Sequence, residues 1–482
     1  MTKASKLERA TPESQGVDSA AIAALVERGN EHAFHSLMVL RHGKVIAEGW
    51  WAPYTADEPH MMFSVSKSVT ATAIGMLVAE GRASLDEEML SVFPNLASDA
   101  AKANARGVKV RHVLAMATGH AVDTMEIMRA LPHEDWVSIF FGVPVDYPPG
   151  THFLYNSGAS YVLAAMITAR TGQSVRDYLE SRLFQPLGIV DAPWEKNPRG
   201  INFGASGLRL RTEDLAKFGQ LYLNRGMWEG KRLLTEEWVA EATAKHVSNG
   251  TDPKSDWAQG YGFQIWRSLH NSYRMDGRYG QFSLVLPEQD MVIAITAGVK
   301  NNRAVTDMLW ETLLPGVHAK ALPENPSAEA KLRASLSAQA VALPAFLASD
   351  PKLAAQVHGR KIALPFNLMG ASAVELSFSA DAIDLRVERR DGGTETLPAG
   401  RKRWASGVTH MWPHEEMKQA KLESRAGWID ERTLEIRQQC VETPFSRNWR
   451  FAFDGADRVT VSVGLDNGFW VERTEVLAGV LS

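Results

Sequence analysis

Ser64 and Lys67 stand three apart in Phe63-Ser64-Val65-Ser66-Lys67-Ser68-Val69-Thr70. In the run that follows, Val69, Ile74, Leu77 and Val78 recur at roughly helical spacing, and Gly81 suits a helix stop. Ser64 is therefore expected at the first turn of a mostly buried helix, with the Lys67 amine on the same face. A serine hydroxyl is a poor nucleophile until a base takes its proton. Lysine serves as that base only if its pKa falls from roughly 10.4 toward 7, a cost of roughly 4 kcal/mol supplied by burial and nearby positive potential. A helix N-terminus contributes such potential, and its N–H groups can hold an oxyanion. The alternative for the same letters is an N-cap serine beside a solvated lysine. A second Ser-x-x-Lys, Ser349-Asp350-Pro351-Lys352, reads as an exposed loop, because Pro351 opposes helix continuation past the first turn.

A lysine-assisted serine also needs a group that passes the proton to the leaving group and a second oxyanion donor. Tyr155 follows the turn Pro149-Gly150 and precedes a helical pattern, a rigid place for a functional side chain. Packing at a helix start is the competing reading for it. Tyr222-Leu223-Asn224 ends an amphipathic helix and reads as packing. The glycine-punctuated Met275-Asp276-Gly277-Arg278-Tyr279-Gly280-Gln281 enters a strand and offers the second donor, with a plain β-turn as the alternative.

The elements that must position these groups follow in chain order. Residues 12–33 form a helical pattern. Two β-rich runs then flank His42-Gly43-Lys44, a hairpin signal, and 51–62 is a loop leading to Ser64. From 82 to about 250 the pattern is largely helical. Phe282–Leu286 and Met291–Ile295 flank Pro287-Glu288-Gln289-Asp290 as a second hairpin, and a helix over 302–313 follows. This order predicts an α+β fold whose antiparallel sheet is built from both ends of the region, with a helical insertion between. Residues 323–356 read as a linker with a helix. From 357 to 482, alternation such as Ala382-Ile383-Asp384-Leu385-Arg386-Val387-Glu388 and the turn signal Asp466-Asn467-Gly468 predict a separate all-β barrel or sandwich. The expected domains are thus 1–322 and 357–482.

With 482 residues the chain exceeds one ordinary core. A net charge of −4 gives no case for nucleic acid or an anionic membrane. One cysteine, Cys440, excludes an intrachain disulfide and points to a reducing compartment. No apolar N-terminal core or run of about eighteen apolar residues is present, so the expectation is a cytoplasmic protein without a membrane span. His133-Glu134-Asp135-Trp136 lacks metal-ligand spacing, so neither metal nor cofactor is expected. The composition is silent on oligomeric state.

Together, Phe63-Ser64-Val65-Ser66-Lys67-Ser68, Pro149-Gly150-Thr151 with Tyr155, and the glycine-rich turn ahead of Pro287-Glu288 resemble the class C β-lactamase-like serine hydrolases. That group includes penicillin-binding proteins, serine esterases and D-aminopeptidases. Leu114-Ala115-Met116-Ala117-Thr118-Gly119-His120 and Ser206-Gly207-Leu208-Arg209-Leu210 fit as well, and the resemblance spans about 12–315. It implies a β-lactamase-like fold, with Ser64 as acyl-forming nucleophile and Lys67 and Tyr155 as a coupled proton-transfer pair. Ser157, Asp276, Gly277 and Arg278 fall at its substrate-binding boxes. Two departures matter. Ser157 stands where the β-lactamases carry the asparagine of Tyr-x-Asn, and Met275-Asp276-Gly277 replaces Lys-Thr-Gly. The lost lysine removes the cation for a β-lactam carboxylate, and a nearby aspartate would repel it. The expectation is a hydrolase of a small uncharged or cationic ester or amide. A true β-lactamase, a D-aminopeptidase or a non-catalytic penicillin-recognising protein are the alternatives.

Overall fold

The computed structural model describes residues 6–367, 369–411, 419–466 and 473–481. The chain divides into two compact units, one of residues 1–50 and 61–339 and one of 51–60 and 340–482. The division departs from the expected 1–322 and 357–482 at two places. The helix Pro326–Ser337 belongs to the first unit, because Leu332 and Leu336 are buried there and Leu336 lies against Gly49. Trp51–His60, expected as a plain loop, is counted with the C-terminal unit: Tyr54 donates to the Thr443 carbonyl at 3.2 Å, and Glu58 pairs with Lys421 at 3.1 Å.

The first unit holds a six-stranded antiparallel sheet. Its strands are β1 (Phe34–Arg41), β2 (Lys44–Trp50), β3 (Trp266–Arg267), β4 (Tyr273–Gly277), β5 (Gln281–Leu286) and β6 (Met291–Ala297), in the order β2-β1-β6-β5-β4-β3. The two predicted hairpins meet at the β1–β6 pairing, which runs from Phe34 opposite Ala297 to Arg41 opposite Met291. The helices between β2 and β3 form the insertion. Four of them shape the site: α1 (Val65–Ala79), α2 (Met125–Ala130), α3 (Ser157–Thr171) and α4 (Thr212–Leu223).

Every residue of α1 from Val65 to Leu77 is buried, so it is a central helix and not an amphipathic surface one. Its polar side chains are each satisfied by a different element, as burial requires. Ser68 Oγ donates to the Gln264 carbonyl at 2.6 Å, Thr70 Oγ1 to the Gly204 carbonyl at 2.9 Å, and Thr72 Oγ1 shares a 2.7 Å hydrogen bond with the Tyr222 hydroxyl of α4. Thr212 Oγ1 at the start of α4 donates to Ser36 of β1 at 2.7 Å, tying α4 to the sheet.

In the second unit, ten strands lie in one sheet. Nine close into a barrel where Gly400, at the end of Thr394–Gly400, bridges Arg425 of the strand Ala420–Trp428. The tenth, Ala405–Thr409, pairs antiparallel to Ala420–Trp428. Alternation decides which side chains face inward: Ile383, Leu385 and Val387 are buried, as are Trp449, Phe451 and Phe453. Residues 467 and 468 of the expected Asp466-Asn467-Gly468 turn lie outside the described residues. Ser349 is exposed, and the helix after it begins only at Lys352, so Ser349 and Lys352 do not share a helical face.

At Gly75 of α1, a Cβ would lie 2.2 Å from the Trp238 ring. Gly75→Ala is therefore expected to destabilise the protein by about 1–3 kcal/mol through overpacking. A urea midpoint equal to wild type would show that α1 and Trp238 are not in this contact.

Candidate active site

The chain enters α1 through Phe63, held at φ 47° in the left-handed region that a bulky residue rarely adopts. Ser64 follows at φ −71° and ψ −6°, and its side chain makes no capping hydrogen bond. The hydroxyl instead lies 3.0 Å from Lys67 Nζ. The capping-serine alternative therefore does not describe this helix start, and neither does the solvated lysine, since Lys67 is 2% exposed. Lys67 Nζ also donates to the Ala205 carbonyl at 3.1 Å and to Ser157 Oγ at 3.4 Å. Burial lowers the Lys67 pKa to about 7, Asp123 opposes the shift and Arg129 adds to it.

Tyr155 comes from the segment between Gly150 and α3. The start of α3 is fixed by Asn156, whose Oδ1 accepts from the Gly158 N–H at 2.9 Å and from Thr124 Oγ1 at 3.0 Å. The Tyr155 ring stacks on Trp266 at 5.3 Å, stands edge-on to Tyr261, and has Lys67 Nζ 4.9 Å from its centroid. The ring keeps a partly exposed edge. Desolvation raises the hydroxyl's pKa above the ordinary tyrosine value, and a hydrogen bond with Ser64 offsets part of this. The phenol accordingly holds its proton at neutral pH, while burial brings Lys67 into its titration range there.

The third group reaches α1 through the backbone. A Cβ at Gly277 would lie 2.3 Å from the Met62 carbonyl, so only glycine lets the end of β4 pass this close. Tyr279, at φ 66°, packs edge-on to Phe63 with ring centroids 5.3 Å apart. Asn302 clamps the turn: its Nδ2 donates to the Gly277 carbonyl and to Asp276 Oδ1, and its Oδ1 accepts from the Gly280 N–H. Arg278 is exposed and lies over the Tyr279 ring.

Asp276 requires a correction. The sequence suggested a charge that repels an anionic substrate. In the fold its carboxyl is 8% exposed and occupied on both oxygens, by Arg274 Nε at 2.9 Å and Asn302 at 2.8 Å. Burial raises its pKa, and Arg274 opposes the rise. The pair presents no lone negative charge, and both oxygens of Asp276 are engaged within the turn.

Three contributors were given no role in the site by sequence reasoning, although Ser206-Gly207-Leu208-Arg209-Leu210 was noted among the family phrases. Asp123 is exposed, just ahead of α2. It accepts from the Ser157 N–H at 2.9 Å and the Met125 N–H at 3.0 Å, and its charge acts on both Lys67 and Tyr155. The loop 204–208 supplies carbonyls to Lys67 and Thr70 and donates from the Leu208 N–H to Ser66 Oγ. Fully buried Arg274 lies over Trp266, which backs Tyr155. None of the three carried a spacing signal; Asp123 had only a loop position 32 residues before Tyr155.

The Lys67 shift has two measurable consequences. If the neutral amine is the reactive form, kcat/KM for an uncharged substrate rises with pH through about 7 and then levels. Stability moves in the same direction. Between about 7 and 10.5 the unfolded chain holds the Lys67 proton and the folded chain does not, so stability increases with pH across that window. Lys67→Met should remove this slope. A variant and wild type with parallel stability–pH curves would contradict a buried, neutral Lys67.

Residues 6–313 match the Beta-lactamase family. The chain is 28% identical over 261 residues to a 6-aminohexanoate-dimer hydrolase of Paenarthrobacter ureafaciens, covering 50% of this chain and 66% of that protein. It is 29% identical over 339 residues to penicillin-binding protein 4 of Amycolatopsis lactamdurans, covering 62% and 85%. A lovastatin esterase of Penicillium rubens is 24% identical over 312 residues, covering 50% and 77%. Two of these relatives are hydrolases by name, and the family match runs from the strand pair β1–β2 through the Ser64 helix and the Tyr155 segment to the helix after β6. The chain belongs to the beta-lactamase family of serine hydrolases.

Proposed function

We propose that the chain cleaves a small ester or amide through an acyl-serine intermediate at Ser64. The observation that carries this reading is the 3.0 Å approach of a buried Lys67 amine, with a pKa near 7, to a serine hydroxyl that caps nothing. In the first half-reaction Ser64 Oγ attacks the carbonyl carbon and its proton passes to Lys67. The protonated phenol of Tyr155, hydrogen-bonded to Ser64, gives a proton to the leaving alcohol or amine and is replenished from Lys67. Water then repeats the sequence in reverse roles, and the acid product leaves. The oxyanion is held by the Ser64 N–H at the start of α1 and by an N–H of the turn after Gly277; the close approach of Gly277 to the Met62 carbonyl, two residues before Ser64, supports this reading. Ser157 keeps Lys67 in place through its 3.4 Å contact.

The substrate class rests on charge. The third box carries no lysine, Asp276 is paired with Arg274 so the turn offers no repelling anion, and exposed Arg278 lies over the Tyr279 ring. Asp123 adds an exposed carboxylate close enough to act on Lys67 and Tyr155. Uncharged or cationic substrates fit this environment better than anionic β-lactams. The hydrolase and esterase names among the relatives support the same direction.

Ser64→Ala is expected to lose fluorophosphonate labelling and to lower kcat/KM for p-nitrophenyl butyrate by at least about 10⁴-fold. Lys67→Ala and Tyr155→Phe should each remove most activity, with the double variant little worse than either, since groups acting as one unit are not additive. Residual Ser64→Ala activity within about tenfold of wild type would exclude the mechanism. Wild-type kcat/KM for nitrocefin exceeding that for p-nitrophenyl butyrate would place the chain with the true β-lactamases.

A further inference from the structure

The residues just ahead of α2 and the start of α3 are laced together next to Lys67. Asn156 Oδ1 accepts from the backbone N–H of Thr124 at 3.2 Å and from its Oγ1 at 3.0 Å. Beside this pair, Asp123 Oδ1 accepts from the Ser157 N–H at 2.9 Å and from the Met125 N–H at 3.0 Å. Thr124 and Asn156 are fully buried. A Cβ at Gly158 would collide with Thr124 Oγ1, so glycine is what lets the two segments lie so close. The lacing ends on the reactive pair: Ser157 Oγ accepts from Lys67 Nζ at 3.4 Å, and Lys67 Nζ lies 3.0 Å from Ser64 Oγ.

Asp123 is the charged member of this lacing, and it is exposed. Its two hydrogen bonds do not require a charge, since an asparagine carbonyl in the same place would accept both. A carboxylate beside two helix starts is favoured by their dipoles, which accounts for the charge without any part in the reaction. Yet Lys67 meets few other charges. The loop 204–208 brings only neutral residues, and its Ala205 carbonyl takes one lysine hydrogen bond. The α3 side brings Ser157 and Tyr155, whose ring centroid is 4.9 Å from Nζ. β4 brings Arg274 and Asp276, which pair with each other and act on Tyr155. Of these elements, only α2 and the residues leading into it bring fixed charges that act on the lysine itself: Asp123 favours the ammonium form and Arg129 opposes it.

We propose that Asp123 is a positioning residue for the hydrolytic site: it fixes the first N–H of α3, so that Ser157 Oγ stays on Lys67 Nζ, and its negative charge steadies the protonated form of the amine. This rests on the reading of Lys67 as the base for Ser64. Without the charge, the amine gives up its proton at lower pH and the base form appears earlier. Without the Ser157 contact, the amine is held beside Ser64 by one acceptor fewer.

Two substitutions in the full chain separate the two tasks. Asp123→Asn keeps the acceptor and removes the charge, whereas Asp123→Glu keeps the charge and displaces the acceptor. Each is followed against pH by kcat/KM for p-nitrophenyl butyrate and by the isotope-labelled Cε resonance of Lys67, assigned through its loss in Lys67→Met. In Asp123→Asn both midpoints should move to lower pH by at least about 0.3 units, a shift that a merely structural role would not produce. In Asp123→Glu the midpoints should stay closer to wild type than in Asp123→Asn, while the high-pH plateau of kcat/KM falls by about threefold or more. If Asp123→Asn does not fold, Asp123→Ser, which also offers an acceptor at a helix start, is read in its place. An unmoved or raised midpoint in the folded neutral variant, or a wild-type plateau in Asp123→Glu, would overturn the proposal. The Lys67 resonance needs no turnover, so failure of the acyl-serine reading, seen as activity in Ser64→Ala, stays distinct from failure of this one.

Discussion

The Lys67 amine must sit beside Ser64 with water excluded, and much of the first unit is arranged around that requirement. An ammonium group taken out of water is expensive, so the protein lowers its pKa to about 7 and surrounds it with oxygen acceptors. Those acceptors come from three places in the chain: Ser64 at the start of the same helix, Ser157 at the start of another, and the Ala205 carbonyl in a loop. Holding three segments on one nitrogen explains why α1 is buried on every side. Its remaining polar groups are spent on the same task, each fastening a neighbouring element to the helix.

Tyr155 complements this arrangement through the opposite shift. Desolvation lowers the proton affinity of the lysine and raises that of the tyrosine, so one environment moves the two groups in opposite directions. The tyrosine is backed by Trp266, which is in turn covered by the Arg274 guanidinium. Arg274 also grips Asp276, and Asp276 shares Asn302 with the Gly277–Gly280 turn. The orientation of Tyr155 and the geometry of the Gly277–Gly280 turn are therefore linked through one buried ion pair. Such a pair is weak evidence for stability.

The second unit follows a different rule. Its barrel alternates inward apolar and outward polar residues, and one segment far away in sequence, Trp51–His60, is counted with it. At fully buried Arg447, in the inward register of Trp449, Phe451 and Phe453, the barrel takes a cation inward. Arg447 is held by Gln438 and the Met411 carbonyl.

Much was legible in the residues themselves. The Ser64-x-x-Lys67 pair, the apolar run after it, the hairpins around Gly43 and around Pro287–Asp290, and the β-alternation after 357 are local patterns, and local patterns reflect period and turn chemistry. Their family resemblance was equally a property of short motifs in order. What the sequence could not hold is anything set by distance through space. That Ser64 is free of capping depends on Lys67 being drawn toward it by Ala205 and Ser157. That Asp276 is not a repelling charge depends on Arg274, two positions away on the same strand, turning inward with it, which alternation allows and only packing selects. Asp123, Trp266 and the membership of Trp51–His60 in the barrel unit were likewise invisible, because their partners lie tens to hundreds of residues away and no spacing encodes which buried groups will meet. The residue types determined the available chemistry; tertiary structure decided which charges are neutralised, which donors are left over, and so which face of the site a substrate meets.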